Sequence, residues 1–497
     1  MHEAERRMDP CQHKSVAPRA GSGIILRDLA HAREAGFGTS GVRARVTDLT
    51  PDVCRAYTQA FLAVVQPRRR HVLIGHDLRP SSPAIAAACC AAAHDLGFEA
   101  GYAGVLPTPA LAFAAQSLGI PAIMVTGSHI PFDRNGLKFY RPEGEITKAD
   151  EEHILAMPVR PQAECGIGQL PQPDPAALNL YIDRYCSAFA PDALAGLRIG
   201  VYEHSSAARD LLHHLLRRLG AQTISLGRSE GFVAIDTEAV RPEDREHAMV
   251  WARQHLLDAI VTTDGDADRP LVADEAGLWL RGDVLGMICA AELGAHTVVT
   301  PVTSNSGLEA SRHFPHVLRT RVGSPHVIAA MAQASDGPVV GFEANGGFLL
   351  GSQAGLARGI LAPLKTRDAV LPILLVLTAR RRSGRPLSSL LGDFGGRHTH
   401  SDRLTGVDVA RCKSLIARSA VNPKAMAQLL SGAPVSHVAL DMTDGARFTL
   451  DSGTIIHVRL SGNAPELRCY VDADTPQRAE RLCRDCLDRL RPHAYGP

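Results

Sequence analysis

Asp264-Gly265-Asp266-Ala267-Asp268-Arg269 sets three carboxylates on alternate positions, spaced by small residues, directly after the apolar run Asp258 to Thr263. Such spacing lets one turn fold several oxygens around a hard cation. Left unpaired, the three charges would repel, so a cation or Arg269 must balance them. A calcium EF-hand is the first rival, because Glu275 is twelfth from Asp264. Its sixth position needs glycine and here is Arg269, and the flanks read as strands rather than helices. A plain acidic surface turn is the bland alternative.

A second group is Thr126-Gly127-Ser128-His129-Ile130-Pro131, followed by Asn135-Gly136-Leu137-Lys138. A serine exposed at a strand end can act as a covalent nucleophile. Ile130 breaks the GxSxG pattern, which disfavours an esterase-type hydrolase. Taken alone, Ser128 reads as a turn or cap serine. His129 and Lys138 are candidates for proton transfer, against the simpler reading of each as a surface side chain. Arg459-Leu460-Ser461-Gly462-Asn463-Ala464-Pro465 offers a cation, a hydroxyl, an amide and an open backbone, which suits phosphate. Gly341 to Gly347 holds Glu343 and Asn345 between glycines, facing outward to sugar hydroxyls or forming an ordinary tight turn. Gly38-Thr39-Ser40-Gly41-Val42-Arg43 suits an anion but lacks the Walker lysine.

These segments need elements to position them. The pattern is a short β-branched run, a polar turn and then a helix, at His71 to Gly75, Ala122 to Val125, Leu197 to Val201, Asp258 to Thr263, Thr297 to Val302 and Pro338 to Gly341. Repeats of this kind predict α/β domains, with ligands at the carboxyl ends of strands. After Arg380 to Pro386 the pattern becomes four antiparallel strands between Val435 and Asp472, followed by one helix. The expected division is a disordered extension at 1–24, α/β domains at 25–160, 176–276 and 277–385, and a smaller α+β domain at 386–497.

A chain of 497 residues is too long for one core. Hydrophobic residues at 45% and charged residues at 21% are ordinary for a soluble protein, and a net charge of +1 predicts no nucleic-acid partner. The apolar stretches Ile85 to Ala93 and Val370 to Ala379 are too short to span a bilayer. Met1 to Ala20 lacks a signal core, so a cytoplasmic protein is expected. The eleven cysteines include Cys483 and Cys486, two residues one helical turn apart with no second pair for zinc. Packing is their expected role, as it is for Cys89 and Cys90.

Taken in order, five motifs resemble the α-D-phosphohexomutase family, which includes phosphomannomutases and phosphoglucomutases. They are Phe37 to Arg43, Thr126 to Pro131, Asp264 to Arg269, Gly341 to Gly347 and Arg459 to Pro465. The resemblance implies three similar α/β domains with mixed sheets and a smaller C-terminal domain, set around a central cleft. It implies that Ser128 is the phosphoserine and that Asp264, Asp266 and Asp268 bind Mg2+ with it. Arg43, His129, Lys138 and Arg269 would serve the active centre. Glu343 and Asn345 would read the sugar, while Arg459, Ser461, Gly462 and Asn463 would clamp its distal phosphate. Gly347 stands where some relatives carry histidine, Asn345 where many carry serine, and Ala464 where threonine or glutamate is common. The implied substrate is a hexose phosphate, primed by a sugar 1,6-bisphosphate and handled by a monomer or homodimer. The Glu-Ala-Asn-Gly-Gly form resembles a bacterial subgroup acting on mannose 1-phosphate and mannose 6-phosphate. Glucose phosphates are the close rival, alone or in dual specificity, and glucosamine phosphates rank lower. A non-catalytic sugar-phosphate-binding paralogue is the alternative from another class.

Overall fold

Runs rich in valine, isoleucine and alanine build three sheets with one shared strand order. In the computed structural model, which describes residues 23–29, 35–38, 41–160, 169–334, 337–462 and 464–495, the first sheet runs Glu99–Val105, His71–His76, Ala122–Val125, Arg134–Arg141, and continues through Val42–Arg45 to Gly36–Phe37. The second runs Gln222–Arg228, Arg198–His204, Ala259–Thr263, Pro270–Ala273. The third runs His316–Thr320, Thr297–Pro301, Val339–Phe342, Phe348–Leu350, and ends on Leu364–Asp368. In each sheet the first three strands are parallel and the fourth is antiparallel. Mixed sheets are therefore present in all three units.

This corrects half of the strand, turn, helix pattern. Helices follow His71–His76 and Arg198–His204, and a short helix follows Thr297–Pro301. After Ala122–Val125, Ala259–Thr263 and Val339–Phe342 the chain instead turns back as a strand. Two of the return segments, Pro270–Ala273 and Phe348–Leu350, are short and buried, and runs of that kind carry no periodicity that separates strand from helix. The serine loop, the carboxylate loop and the Gly341 to Gly347 loop thus occupy one equivalent hairpin in the three units.

One apolar core runs through all three units and includes Leu111, Tyr181, Phe342 and most of the helix Val370–Ser383. From Val370 to Leu377 that helix is apolar on every face because it is enclosed on every face, and its last turn, Arg380 to Ser383, emerges toward solvent. Among the described residues, no helix is long and apolar enough to cross a membrane. Residues 1–22 of the expected extension lie outside the described residues; Ile24, the last residue of that extension, pairs with Val159.

The C-terminal sheet has its own core. Its order is His398–Thr405, Glu466–Ala473, Ile455–Leu460, Ala446–Leu450, Val438–Asp441, all antiparallel. The first of these strands was not expected, since its His-Thr-His-Ser-Asp-Arg start is polar and half-exposed. Cys483 and Cys486 are buried in this core and Cys89 and Cys90 in the first unit's, with all four thiols free. Polar contacts join this domain to the third unit: Val322 N donates to Asp444 Oδ2 at 3.0 Å, and Ser306 N to Asp472 Oδ2 at 2.8 Å.

Two buried histidines predict an acid-sensitive fold. His204 and His457 accept no solvent, and burial pushes each down to about 4. In the unfolded chain they titrate near ~6.5. Between those values only the unfolded state binds the protons, so stability falls as pH drops. The expected loss is about 1.4 kcal/mol per pH unit for each histidine. Thermal melts at pH 7 and pH 5 measure it, and equal stability at both would contradict it.

Candidate active site

Ser128 sits at the tip of the first hairpin with φ at 55°, in the left-handed region that L-residues avoid. Two contacts hold it there. Its N–H donates to Thr126 Oγ1 at 2.7 Å, and its carbonyl accepts from Arg79 Nη2 at 2.8 Å. Arg79 is almost fully buried, donates also to the carbonyls of Ile130, Pro131 and Arg134, and pairs with Asp77. Its guanidinium lies 4.0 Å from the Phe232 ring centre. Arg79 therefore shapes the loop from Ser128 to Arg134, and Thr126 fixes the serine's amide.

This shape carries the serine hydroxyl across to the second unit, where Ser128 Oγ donates to Asp264 Oδ2 at 2.6 Å. His129 Nδ1 lies 3.3 Å from the same hydroxyl. Burial holds the His129 imidazole well below its usual range, and Arg269 and Arg43 add to this, so it is neutral.

Asp264, Asp266 and Asp268 each offer an oxygen, and the three oxygens lie within 4.8 Å of one another. Asp266 Oδ2 accepts from Lys138 Nζ at 2.6 Å and from Thr108. Asp268 Oδ2 accepts from Lys138 Nζ at 2.6 Å and from Arg367 Nη2 at 2.7 Å. The other oxygens, Asp266 Oδ1 and Asp268 Oδ1, are buried without a hydrogen bond. Burial, with Asp266 and Asp268 adding, pushes the Asp264 carboxyl well above its usual range. Burial also opposes the Asp268 charge, but Arg367, Lys138 and Arg269 outweigh it and hold that carboxyl low. An all-oxygen donor set with two orphaned carboxylate oxygens fits a hard divalent cation.

Arg269 lies 3.7 Å from Asp268. Arg43 reaches the same cluster, and burial, with Arg269 adding, pushes it down to about 10. Glu343 does not face outward, as its loop suggested. It is buried, 3.5 Å from Arg367, with Oε2 lacking a hydrogen bond. The loop turns inward because Gly282 packs against it: a Cβ there would stand 2.0 Å from Gly346 N and 2.6 Å from Ala344 O. Gly282→Ala should therefore displace this loop, costing about 1–3 kcal/mol in urea melts and raising KM; a wild-type KM would refute it. Asn345 turns its Oδ1 to Gly347 N at 2.9 Å.

Around these groups lies a cleft of about 630 Å³. His129 lines it from the first unit, Arg269 from the second, and Glu343, Asn345 and Arg367 from the third. Arg459, Ser461 and Gly462 line it from the C-terminal domain, with Arg403 and Arg468 beside them. Arg459 Nε is 3.2 Å from Asp444. Thr39, Ser40 and Asn463 lie outside the described residues. A second cavity of about 600 Å³, on the second unit, is lined by Glu203, His213 and Arg228, with Glu203 pairing with both of the others.

Arg79, Thr108 and Arg367 escaped the sequence reading. Arg79 had a signal, since it stands in the turn His76 to Ser82 after a strand. Thr108 and Arg367 had none, because their partners lie 158 and 99 residues away.

The arrangement joins a strained serine, a cation-ready carboxylate cluster and a basic cleft, which together suit phosphoryl transfer to a small anionic substrate. Known proteins point the same way. Residues 34–159, 179–277 and 281–395 match the models of phosphoglucomutase/phosphomannomutase alpha/beta/alpha domains I, II and III. Residues 414–489 match the C-terminal domain of the same family. The chain is 48% identical over 471 residues to a phosphomannomutase of Salmonella muenchen, covering 93% of this chain and 97% of that one. It is 45% identical over 462 residues to a phosphomannomutase of Sinorhizobium fredii, covering 90% and 96%. A phosphoglucosamine mutase of Symbiobacterium thermophilum is 33% identical over 478 residues, covering 92% and 98%. Among solved structures, a phosphoglucomutase/phosphomannomutase family protein of Burkholderia thailandensis shares the fold with a TM-score of 0.70 at 20% identity, covering 92% and 97%.

Proposed function

The chain belongs to the phosphoglucomutase/phosphomannomutase family, and from that premise we propose that it interconverts mannose 1-phosphate and mannose 6-phosphate through phosphorylated Ser128. The observation that carries this reading is the 2.6 Å contact of Ser128 with Asp264, which sets a nucleophile on a metal-ready cluster from another unit. The relatives' phosphomannomutase names support mannose as the sugar.

Ser128 Oγ carries the phosphoryl group and loses it to the free hydroxyl of the bound hexose phosphate. The Ser–O–P bond breaks, the sugar O–P bond forms, and the proton given up by the hydroxyl ends on the departing Ser128 Oγ, with Asp264 Oδ2 and His129 Nδ1 in reach to pass it on. The bisphosphate turns over in the cleft and its other phosphate returns to Ser128. On that return the serine proton has two acceptors in reach, Asp264 Oδ2 and His129 Nδ1. Lys138 is engaged by Asp266 and Asp268, so its role is to hold the cluster's geometry and charge. Asp264, Asp266 and Asp268 would hold Mg2+ with an oxygen on Ser128; the chemistry a bound ion supplies is neutralisation of charge on the transferring group. Arg459, Ser461 and Gly462 would grip the distal phosphate, and Glu343 and Asn345 the sugar. The C-terminal domain has its own core and polar contacts to the rest, so it is suited to open and close as the intermediate turns. A trace of sugar 1,6-bisphosphate would prime the serine. The substrate is an anion that does not diffuse through lipid, and we place the reaction in the cytoplasm.

Phosphorus NMR tests the reading, with Mg2+, a trace of glucose 1,6-bisphosphate and separate tubes of mannose, glucose and glucosamine 1-phosphate. Conversion in the mannose tube at the highest rate is expected. No conversion in any tube, with Ser128 unphosphorylated, would favour a non-catalytic binding protein. Stripping divalent ions with EDTA should abolish conversion, and Mg2+ should restore it; full turnover after chelation would refute the metal role.

A further inference from the structure

The cleft contains a carboxylate to which the mutase mechanism assigns no task. Glu238 lies between the strand Gln222–Arg228 and the helix Pro242–His255, and it lines the cavity alongside Glu343 and Asn345. Its loop is pinned. Glu238 N donates to Asp236 Oδ1 at 3.0 Å, and Thr237 Oγ1 donates to Asn345 O at 2.6 Å. Glu238 is therefore anchored to the loop that carries Asn345.

Among the described residues, the Glu238 carboxylate makes no hydrogen bond and no ion pair. Burial pushes this carboxyl up from its ordinary range, with Asp236 adding, while Arg281, Arg468 and Arg269 oppose the rise and favour its charge. Arg269 belongs to the carboxylate loop and Arg468 to the C-terminal domain, so Glu238 stands between the two ends of the cleft. An ionised carboxylate only accepts hydrogen bonds. It repels phosphate, and the arginines at either end attract phosphate. What suits its position is the part of the substrate between the phosphates, the hydroxyl-bearing ring.

We propose that Glu238 accepts a hydrogen bond from a ring hydroxyl of the hexose and is a specificity-determining residue of the cleft. This rests on the hexose phosphate reading and extends the sugar-contacting set into the second unit. Its backbone is pinned while its carboxylate faces the cleft, which leaves it available to the sugar.

The test is calorimetric titration of the full-length protein with Mg2+, using mannose 1-phosphate and inorganic phosphate in parallel. Glu238→Gln keeps the shape and removes the charge, and Glu238→Asp keeps the charge and withdraws it by one methylene. In both variants, the ratio of the sugar phosphate Kd to the phosphate Kd should rise by about tenfold. Glu238→Gln should bind inorganic phosphate as well as wild type or better, since a repelling charge is gone. A ratio within twofold of wild type in the variant that melts at the wild-type temperature would overturn the proposal. The same holds if both ligands weaken alike. Wild-type turnover judges the mutase reading separately: binding of mannose 1-phosphate without conversion would sink that reading and leave Glu238 decided by its own ratio.

Discussion

Ser128→Ala is expected to lower mutase turnover by on the order of 10⁴-fold or more, in line with losses seen when a covalent nucleophile is removed. The fold should survive. Ser128 already sits at φ 55°, and alanine meets the same backbone strain there. The loop is shaped by Arg79 and Thr126 acting on backbone atoms, which alanine retains. What disappears is the hydroxyl that touches Asp264. Phosphorus NMR reads the turnover, and intact mass after incubation with bisphosphate reads the phosphoprotein. Full turnover in the variant would mean that the phosphoryl group travels through another residue.

Arg79→Met should cost about 3–5 kcal/mol of stability, as loss of one partner from a buried charge pair does. It should also reduce turnover well below wild type. The guanidinium supplies donors to four carbonyls of the serine loop and to Asp77. A methionine fills similar space but supplies none, so buried carbonyls and a buried carboxylate lose their partner. Without those donors only Thr126 Oγ1 still holds Ser128 in its left-handed conformation, and its hydroxyl loses its fixed position against Asp264. Arg79→Lys should fall between, since an ammonium keeps the charge but not the planar fork. Urea denaturation measures the first effect and turnover the second. A variant within about 1 kcal/mol of wild type would show that the loop holds itself.

Much of the site was readable because its chemistry is local. The alternating aspartates, the Thr-Gly-Ser-His turn and the Arg-Leu-Ser-Gly turn each fall in a few consecutive residues. The strands before them were readable from β-branched runs. The returning strands Pro270–Ala273 and Phe348–Leu350 were not, because four or three buried residues fit a strand or a helix turn equally well. His398–Thr405 was missed for the opposite reason: its polar side chains hide eight residues of regular pairing with Glu466–Ala473.

By itself the sequence determined which loops carry three alternating aspartates, a serine in a Thr-Gly-Ser-His turn and an Arg-Leu-Ser-Gly turn, the candidates for a metal cluster, a nucleophile and a phosphate grip, since residue type and close spacing decide what a turn can bind. The tertiary structure alone decided which of these meet. Ser128 reaches Asp264 across 136 residues, Lys138 ties two aspartates together across 128 and 130, and Arg367 arrives from a third unit with no motif around it. Local spacing governs contacts within a turn. Contacts between units depend on how three equivalent hairpins pack against one shared core, and that follows from the burial of side chains spread along the whole chain.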